Sequence, residues 1–226
     1  MQTKNYESLK VLAQDSGADL FGVAQTSRLY KYIHEEIMAE ARKLPFTISI
    51  GIRLQSSVLN TLDDRPNQIY KTHYRQVNSA LDFITHKLAH HIQQHGHEAL
   101  SIMASYIIDR QKQDSHISHR HAAVEAGLGY LGNNNLLVHP QYGAGVRLSS
   151  ILTDMPLVAD SPIADSCGEC LACMIACPAD AITANGFDFE KCYDQIKKFA
   201  AENNYNLQVC GLCVKACADV KNTSDS

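Results

Sequence analysis

The stretch CGECLACMIACP, residues 167 to 178, sets four cysteines at the spacing C-x2-C-x2-C-x3-C-P, and VCGLCVKACADV, residues 209 to 220, adds three more. A segment this short and this rich in thiols is poor in long apolar periodicity, so metal must contribute much of its stability. All eight cysteines of the 226-residue chain fall at or after Cys167. The N-terminus, MQTKNYESLKVLAQ, has no apolar core of signal-peptide length, and no later run approaches the roughly 18 apolar residues of a membrane span. A cytoplasmic location with no membrane partner is therefore expected. In a reducing compartment, clustered cysteines are metal ligands or redox centres rather than disulfides.

The first run has the spacing of bacterial two-cluster ferredoxins, in which three cysteines hold one cluster and the fourth reaches over to the other. Ordinary zinc sites use two pairs of ligands separated by a longer insertion, and this compact run of four does not fit them. On the same template Cys210, Cys213 and Cys217 take positions two, three and four, with Leu207 where the first cysteine should be. Cys192 is the one cysteine left to replace it. The expected sets are Cys167, Cys170, Cys173 and Cys217 for one [4Fe-4S] cluster, and Cys177, Cys192, Cys210 and Cys213 for a second. Two adjacent clusters make an electron wire.

Upstream, helices alternate with strands. Helical patterns cover about 5 to 16, 27 to 43, 70 to 94 and the stretch HAAVEAGLG, while DLFGVA, FTISIGIRL, ALSIMAS, NNLLVHP and GVRLSSILTD are extended. MPLVADSPIADS has the composition of a boundary. The expected organisation is a mixed α/β domain over 1–157 and a small cysteine-rich domain over 158–226. From residue 158 onward ten acidic side chains face five lysines. No basic patch is visible, which weighs against a nucleic-acid partner.

Beyond the cysteines, AGLGYLGNNNLLVHPQYGAGVRLSSILTD (126 to 154), SLKVLAQDSGADLFGVA (8 to 24) and YKTHYRQVN (70 to 78) resemble the epoxyqueuosine reductases and their relatives the reductive dehalogenases. The resemblance covers nearly the whole chain. It implies an α+β fold: a nitroreductase-like domain, similar to cobalamin-processing chaperones, followed by a ferredoxin-like domain with two [4Fe-4S] clusters. It also implies cobalamin, bound base-off, as the acceptor of low-potential electrons from a donor such as ferredoxin or flavodoxin. The expected activity is a corrinoid-dependent iron–sulfur oxidoreductase acting on a small organic substrate or corrinoid. The rival is an electron-transfer or cobalamin-delivery protein with no substrate chemistry of its own. Epoxyqueuosine reductases carry an aspartate where this chain has His73, and the helical repeat domain that helps them hold tRNA is not matched here. A tRNA substrate is accordingly not expected.

Within that frame Gly127, Gly129, Gly132, Asn134, Asn135 and Leu136 are expected to face the corrin, the asparagines as amide donors; the alternative is a helix C-cap followed by a tight turn. The glycines fit G-x-G-x-x-G, but the segment follows a helix and enters a strand, the reverse of a dinucleotide site. His73 and Tyr74 are candidates for proton delivery, since reduction of a carbon centre consumes protons. His86, His90, His91, His95 and His97 offer metal-ligand spacing or a solvated helix face. Among His116, His119 and His121, one could meet the corrin or cobalt, or all could decorate a helix start.

Overall fold

The computed structural model describes residues 1–109, 113–202 and 208–224, with 222–224 described by backbone alone. In chain order the elements are α1 (Gln2–Asp15), β1 (Leu20–Gln25), a 3-10 helix (Thr26–Tyr32), α2 (Glu35–Ala41), β2 (Phe46–Arg53), α3 (Ser56–Leu59) and α4 (Gln68–Gln94). They continue with β3 (Ala99–Ile102), α5 (His119–Glu125), β4 (Tyr130–Leu131), β5 (Leu137–Val138) and β6 (Val146–Thr153). The cysteine-rich part holds α6 (Ala172–Ile175), β7 (Ile182–Thr183), β8 (Gly186–Phe187), α7 (Phe189–Glu202) and α8 (Leu212–Ser224). This is a mixed α/β protein.

Its main sheet has the order β1-β2-β6-β3, with β1 antiparallel to β2 and β3 antiparallel to β6. β1 and β6 are buried almost from end to end rather than on alternate residues. Strands covered on both faces read as continuous runs, which is why their sequences show little period-two pattern. The polar side chains inside or bordering the sheet are short: Thr26 and Thr47 share a hydrogen bond at 2.9 Å and Ser149 donates to the Ile102 carbonyl at 2.7 Å, while the buried Ser49 Oγ has no partner among the described residues. In α4, Leu81, Ile84, Leu88 and Ile92 are all essentially inaccessible, the three- and four-residue steps of one helix face.

One expected helix is two. The pattern over 27 to 43 breaks at Ile33 and His34, both in extended conformation. Ile33 forms an antiparallel bridge to Ile117, and His34 caps α2 by accepting the Glu36 amide on Nδ1 at 3.3 Å. A long-range backbone pair thus outweighs the local helical preference.

Contacts divide the chain into two units that interleave in sequence. The first comprises Met1–Ile52, Val77–Tyr130 and Arg147–Ala164; the second comprises Arg53–Gln76, Leu131–Val146 and Asp165–Ser226. Within the first, the stretch with the composition of a boundary is tied down. Asp160 accepts from the Val23 amide at 2.8 Å, returns its own amide to the Val23 carbonyl at 2.7 Å, and accepts from the Tyr6 hydroxyl at 3.1 Å. Burial, reinforced by the Asp160 carboxylate, holds the Tyr6 phenol well above its ordinary range.

Candidate metal centre

Every cysteine belongs to the second unit, and all eight are free thiols. The first run is shaped by its own backbone. Asp165 Oδ1 accepts from the Ser166 amide at 2.8 Å, and the Cys170 amide donates to the Cys167 carbonyl at 3.1 Å. That turn delivers the chain to α6, which carries Cys173 and ends where the Cys177 amide meets the Met174 carbonyl at 3.2 Å. Asp188 starts α7: its carboxylate takes the Lys191 amide at 3.1 Å and its carbonyl takes the Cys192 amide at 3.3 Å. α8 carries Cys213 and Cys217, a four-residue step that sets both on one helix face.

Burial and neighbouring thiols together raise several of the cysteine pKa values. Burial pushes up Cys173 and Cys217, the latter to about 11, and Cys167 and Cys170 push both further. Burial likewise raises Cys192, Cys210 (to about 11) and Cys213; Cys177 adds to all three, and Cys192 to the last two. Cys213 also feels Cys173. Like charges repel, and four thiolates gather only around a cation whose binding displaces their protons. Backbone amides are already directed at these sulfurs: Ala144 N lies 3.3 Å from Cys217 Sγ, and Ala181 N lies 3.4 Å from Cys177 Sγ. Donors of this kind stabilise a cluster's thiolate ligands, and the all-thiol donor set fits iron–sulfur chemistry. Among the described residues, no three His, Cys, Asp or Glu side chains converge as the ligands of one metal ion would. Leu207, the position without a cysteine, lies outside the described residues.

The glycine-rich segment has two distinct parts. In the first unit, Gly127 ends α5 in a left-handed conformation (φ 70°), with its amide on the Val124 carbonyl at 3.1 Å and the Leu128 amide on the Ala123 carbonyl at 2.9 Å. This is the paired bonding of a Schellman cap, so the helix end accounts for Gly127. Gly129 leads into β4. In the second unit, the Gly132 amide donates to the Leu136 carbonyl at 2.9 Å and the Asn135 amide returns to the Gly132 carbonyl at 2.9 Å. Asn135 has a φ of 59°, a conformation asparagine tolerates better than other side chains do. Asn134 is only 4% exposed; its Oδ1 accepts from the Leu136 amide at 3.2 Å, while Nδ2 has no hydrogen-bond partner among the described residues. A buried donor left so costs about 1–3 kcal/mol.

His73 is 6% exposed, and its Nε2 accepts from the Gln55 amide at 3.1 Å. Burial lowers its pKa, so at neutral pH the ring is uncharged with its proton on Nδ1. The residue lines a cavity of about 370 Å³ together with Gln55, Val58, Gln68, Thr72 and Gln76. Tyr74 is half-buried, with its ring centroid 6.5 Å from that of Tyr70.

Most of the other histidines have structural partners. On the outer face of α4, His90 meets Gln94 at 3.0 Å and His95 meets the His91 carbonyl at 2.8 Å, while His86 is exposed. His97 lies 3.4 Å from Asp154. His119 bonds Ser150 Oγ through Nδ1 and the Met103 carbonyl through Nε2, both at 2.9 Å. His121 stacks on Tyr32 at 3.7 Å, and His116 stacks on Tyr106 and contacts Glu36. Both ring nitrogens of His119 are thus engaged within the protein.

Two contributors to the centre were not singled out from the sequence. Ala144 supplies the amide beside Cys217, and Tyr70 packs against Gly211, the residue that separates Cys210 from Leu212. The small residues of GAGV hinted at the first. Nothing in the composition of α4 pointed to the second.

No family model matches the chain. It is 38% identical over 104 residues to the epoxyqueuosine reductase of Leadbetterella byssophila, covering 42% of this chain and 34% of that protein. It is also 36% identical over 114 residues to the tetrachloroethene reductive dehalogenase of Sulfurospirillum multivorans, covering 44% and 23%. The chain is similar in sequence to both epoxyqueuosine reductases and reductive dehalogenases. It thus spans about a third or less of the length of these family members. A solved reductive dehalogenase whose structure is described as suggesting a mechanism for B12-dependent dehalogenation superposes with a TM-score of 0.75 at 23% identity, over 96% of this chain and 32% of that one. At that identity the likeness shows a shared fold and nothing more. Among the described residues, no helix is long and apolar enough to cross a membrane.

Proposed function

We propose that the protein is a corrinoid-dependent iron–sulfur oxidoreductase. The observation that carries this reading is that all eight cysteines, with the spacing C-x2-C-x2-C-x3-C-P in the first run, fall in one unit, with backbone amides 3.3 Å from Cys217 Sγ and 3.4 Å from Cys177 Sγ. Cys167, Cys170, Cys173 and Cys217 would hold one [4Fe-4S] cluster, and Cys177, Cys192, Cys210 and Cys213 the other. In this reading residues 158–226 form a ferredoxin-like domain and residues 1–157 a nitroreductase-like domain that binds cobalamin, supported by the likeness to a protein described as B12-dependent. When bound, these groups supply low-potential electrons and a strongly reducing cobalt centre.

The chain's own residues do the rest. The segment from Gly127 and Gly129 through Gly132, Asn134, Asn135 and Leu136 would border the cofactors when they are bound. His73 holds a proton at Nδ1 beside its cavity, and Tyr74, the following residue of α4, would serve as a second donor. The substrate class is a small organic molecule, in keeping with the tetrachloroethene named for one relative. The electron donor is of the ferredoxin or flavodoxin class, and the acidic C-terminal region would steer its encounter. The test is anaerobic incubation of the reconstituted protein with cobalamin, followed by absorbance. A base-off complex that dithionite drives to Co(I) is expected; absence of any complex overturns the corrinoid reading.

A further inference from the structure

Asn134 stands apart among the segment's polar residues. Its carboxamide is enclosed, and acceptance of the Leu136 amide by Oδ1 fixes which end is oxygen. The opposite end therefore carries two N–H donors, and they find no acceptor among the described residues. Burying such donors is costly unless something accepts from them.

Gly132 points to the acceptor. A Cβ placed on it would lie 3.0 Å from Asn134 Oδ1 and 3.5 Å from Cys167 Sγ, and 2.5 Å from Val138 Cγ2. The carboxamide oxygen and the thiol both border this backbone position, where the close approach of Val138 Cγ2 is what keeps a side chain out. By its spacing Cys167 belongs with Cys170 and Cys173, the set that Cys217 completes in the reading above. We propose that the Asn134 amide donates to the sulfur shell of the cluster held by Cys167, Cys170, Cys173 and Cys217, as a positioning residue that raises that cluster's reduction potential.

The physical basis is simple. Reduction adds negative charge to the sulfurs, and an N–H donor aimed at them stabilises the reduced state more than the oxidised one. The proposal rests on the two-cluster reading and refines it, since it gives Asn134 a cluster rather than a corrin edge as its partner.

The test uses the full chain with clusters reconstituted anaerobically and a redox titration followed by electron paramagnetic resonance. Asn134→Leu removes the donors at similar volume, and Asn134→Asp replaces them with a charge at unchanged shape. Both variants should keep their iron and shift the midpoint of this cluster to more negative potential, Asp further than Leu, with the second cluster unmoved. Should Leu fail to fold, Asp carries the comparison. Full iron with neither midpoint displaced overturns the proposal. So does a weakened cobalamin affinity with an unchanged cluster midpoint, which would assign the amide to the corrin. Wild-type protein with well under about eight iron atoms per chain would instead refute the two-cluster reading itself, and the proposal with it.

Discussion

At Gly211 two constraints coincide on one atom. Its φ of 89° strains any L side chain, and a Cβ there would lie 2.5 Å from Cζ of Tyr70, a ring that is 3% exposed. Positive φ alone costs about 1–2 kcal/mol, and displacing a buried aromatic adds to it. Gly211→Ala should therefore lower the thermal midpoint and deplete iron bound at Cys210 and Cys213. Gly17→Ala, at φ 104° with nothing within 4 Å, should show the strain cost alone. His73 gives a second residue-scale expectation. Because burial holds its pKa below 6.5, the ring is charged only in acid, and turnover that draws on its imidazolium should rise as pH falls below 6.5. Replacing His73 by Ala should remove that limb of the pH profile; an unchanged profile would take His73 out of the mechanism.

Among the elements, α5 and the 3-10 helix before α2 are joined by ring stacking. Burial pushes His119 and His121 down to about 4; Arg147 adds to the first, and Arg120 and Lys31 to the second. In the unfolded chain such rings titrate near 6.5, so between 6.5 and about 4 the unfolded state binds more protons than the native one. The stability owed to these neutral rings is whole above pH 6.5 and is lost as pH falls toward 4. Urea midpoints measured from pH 7 to 5 should decline, and a His119→Asn, His121→Gln double variant should flatten the slope. Element identity was largely legible beforehand: α4, β2 and β6 lie within two residues of their expected limits, because each is long and strongly patterned. What failed was the continuous helix over 27 to 43. Its interruption depends on Ile117, more than seventy positions away in sequence, and no local pattern reports such a partner.

For the molecule as a whole, the cysteines were the most readable feature, since ligand chemistry is written directly in residue type and spacing. The units were not: residues 53–76 and 131–146 join the cysteine-bearing unit although neither contains a cysteine. They supply the Ala144 amide, the Tyr70 ring and the Asn134 carboxamide, contributions made by backbone geometry and close packing rather than by motif. The central claim is that eight thiols hold two clusters with Cys192 completing the second. It is tested most directly by counting iron in anaerobically purified wild-type and Cys192→Ala proteins, with Mössbauer spectra to identify the clusters. About eight iron atoms per chain in the wild type, and selective loss of the second cluster's signal in the variant, are predicted. Far fewer than eight in the wild type, or equal damage to both clusters in the variant, would contradict it.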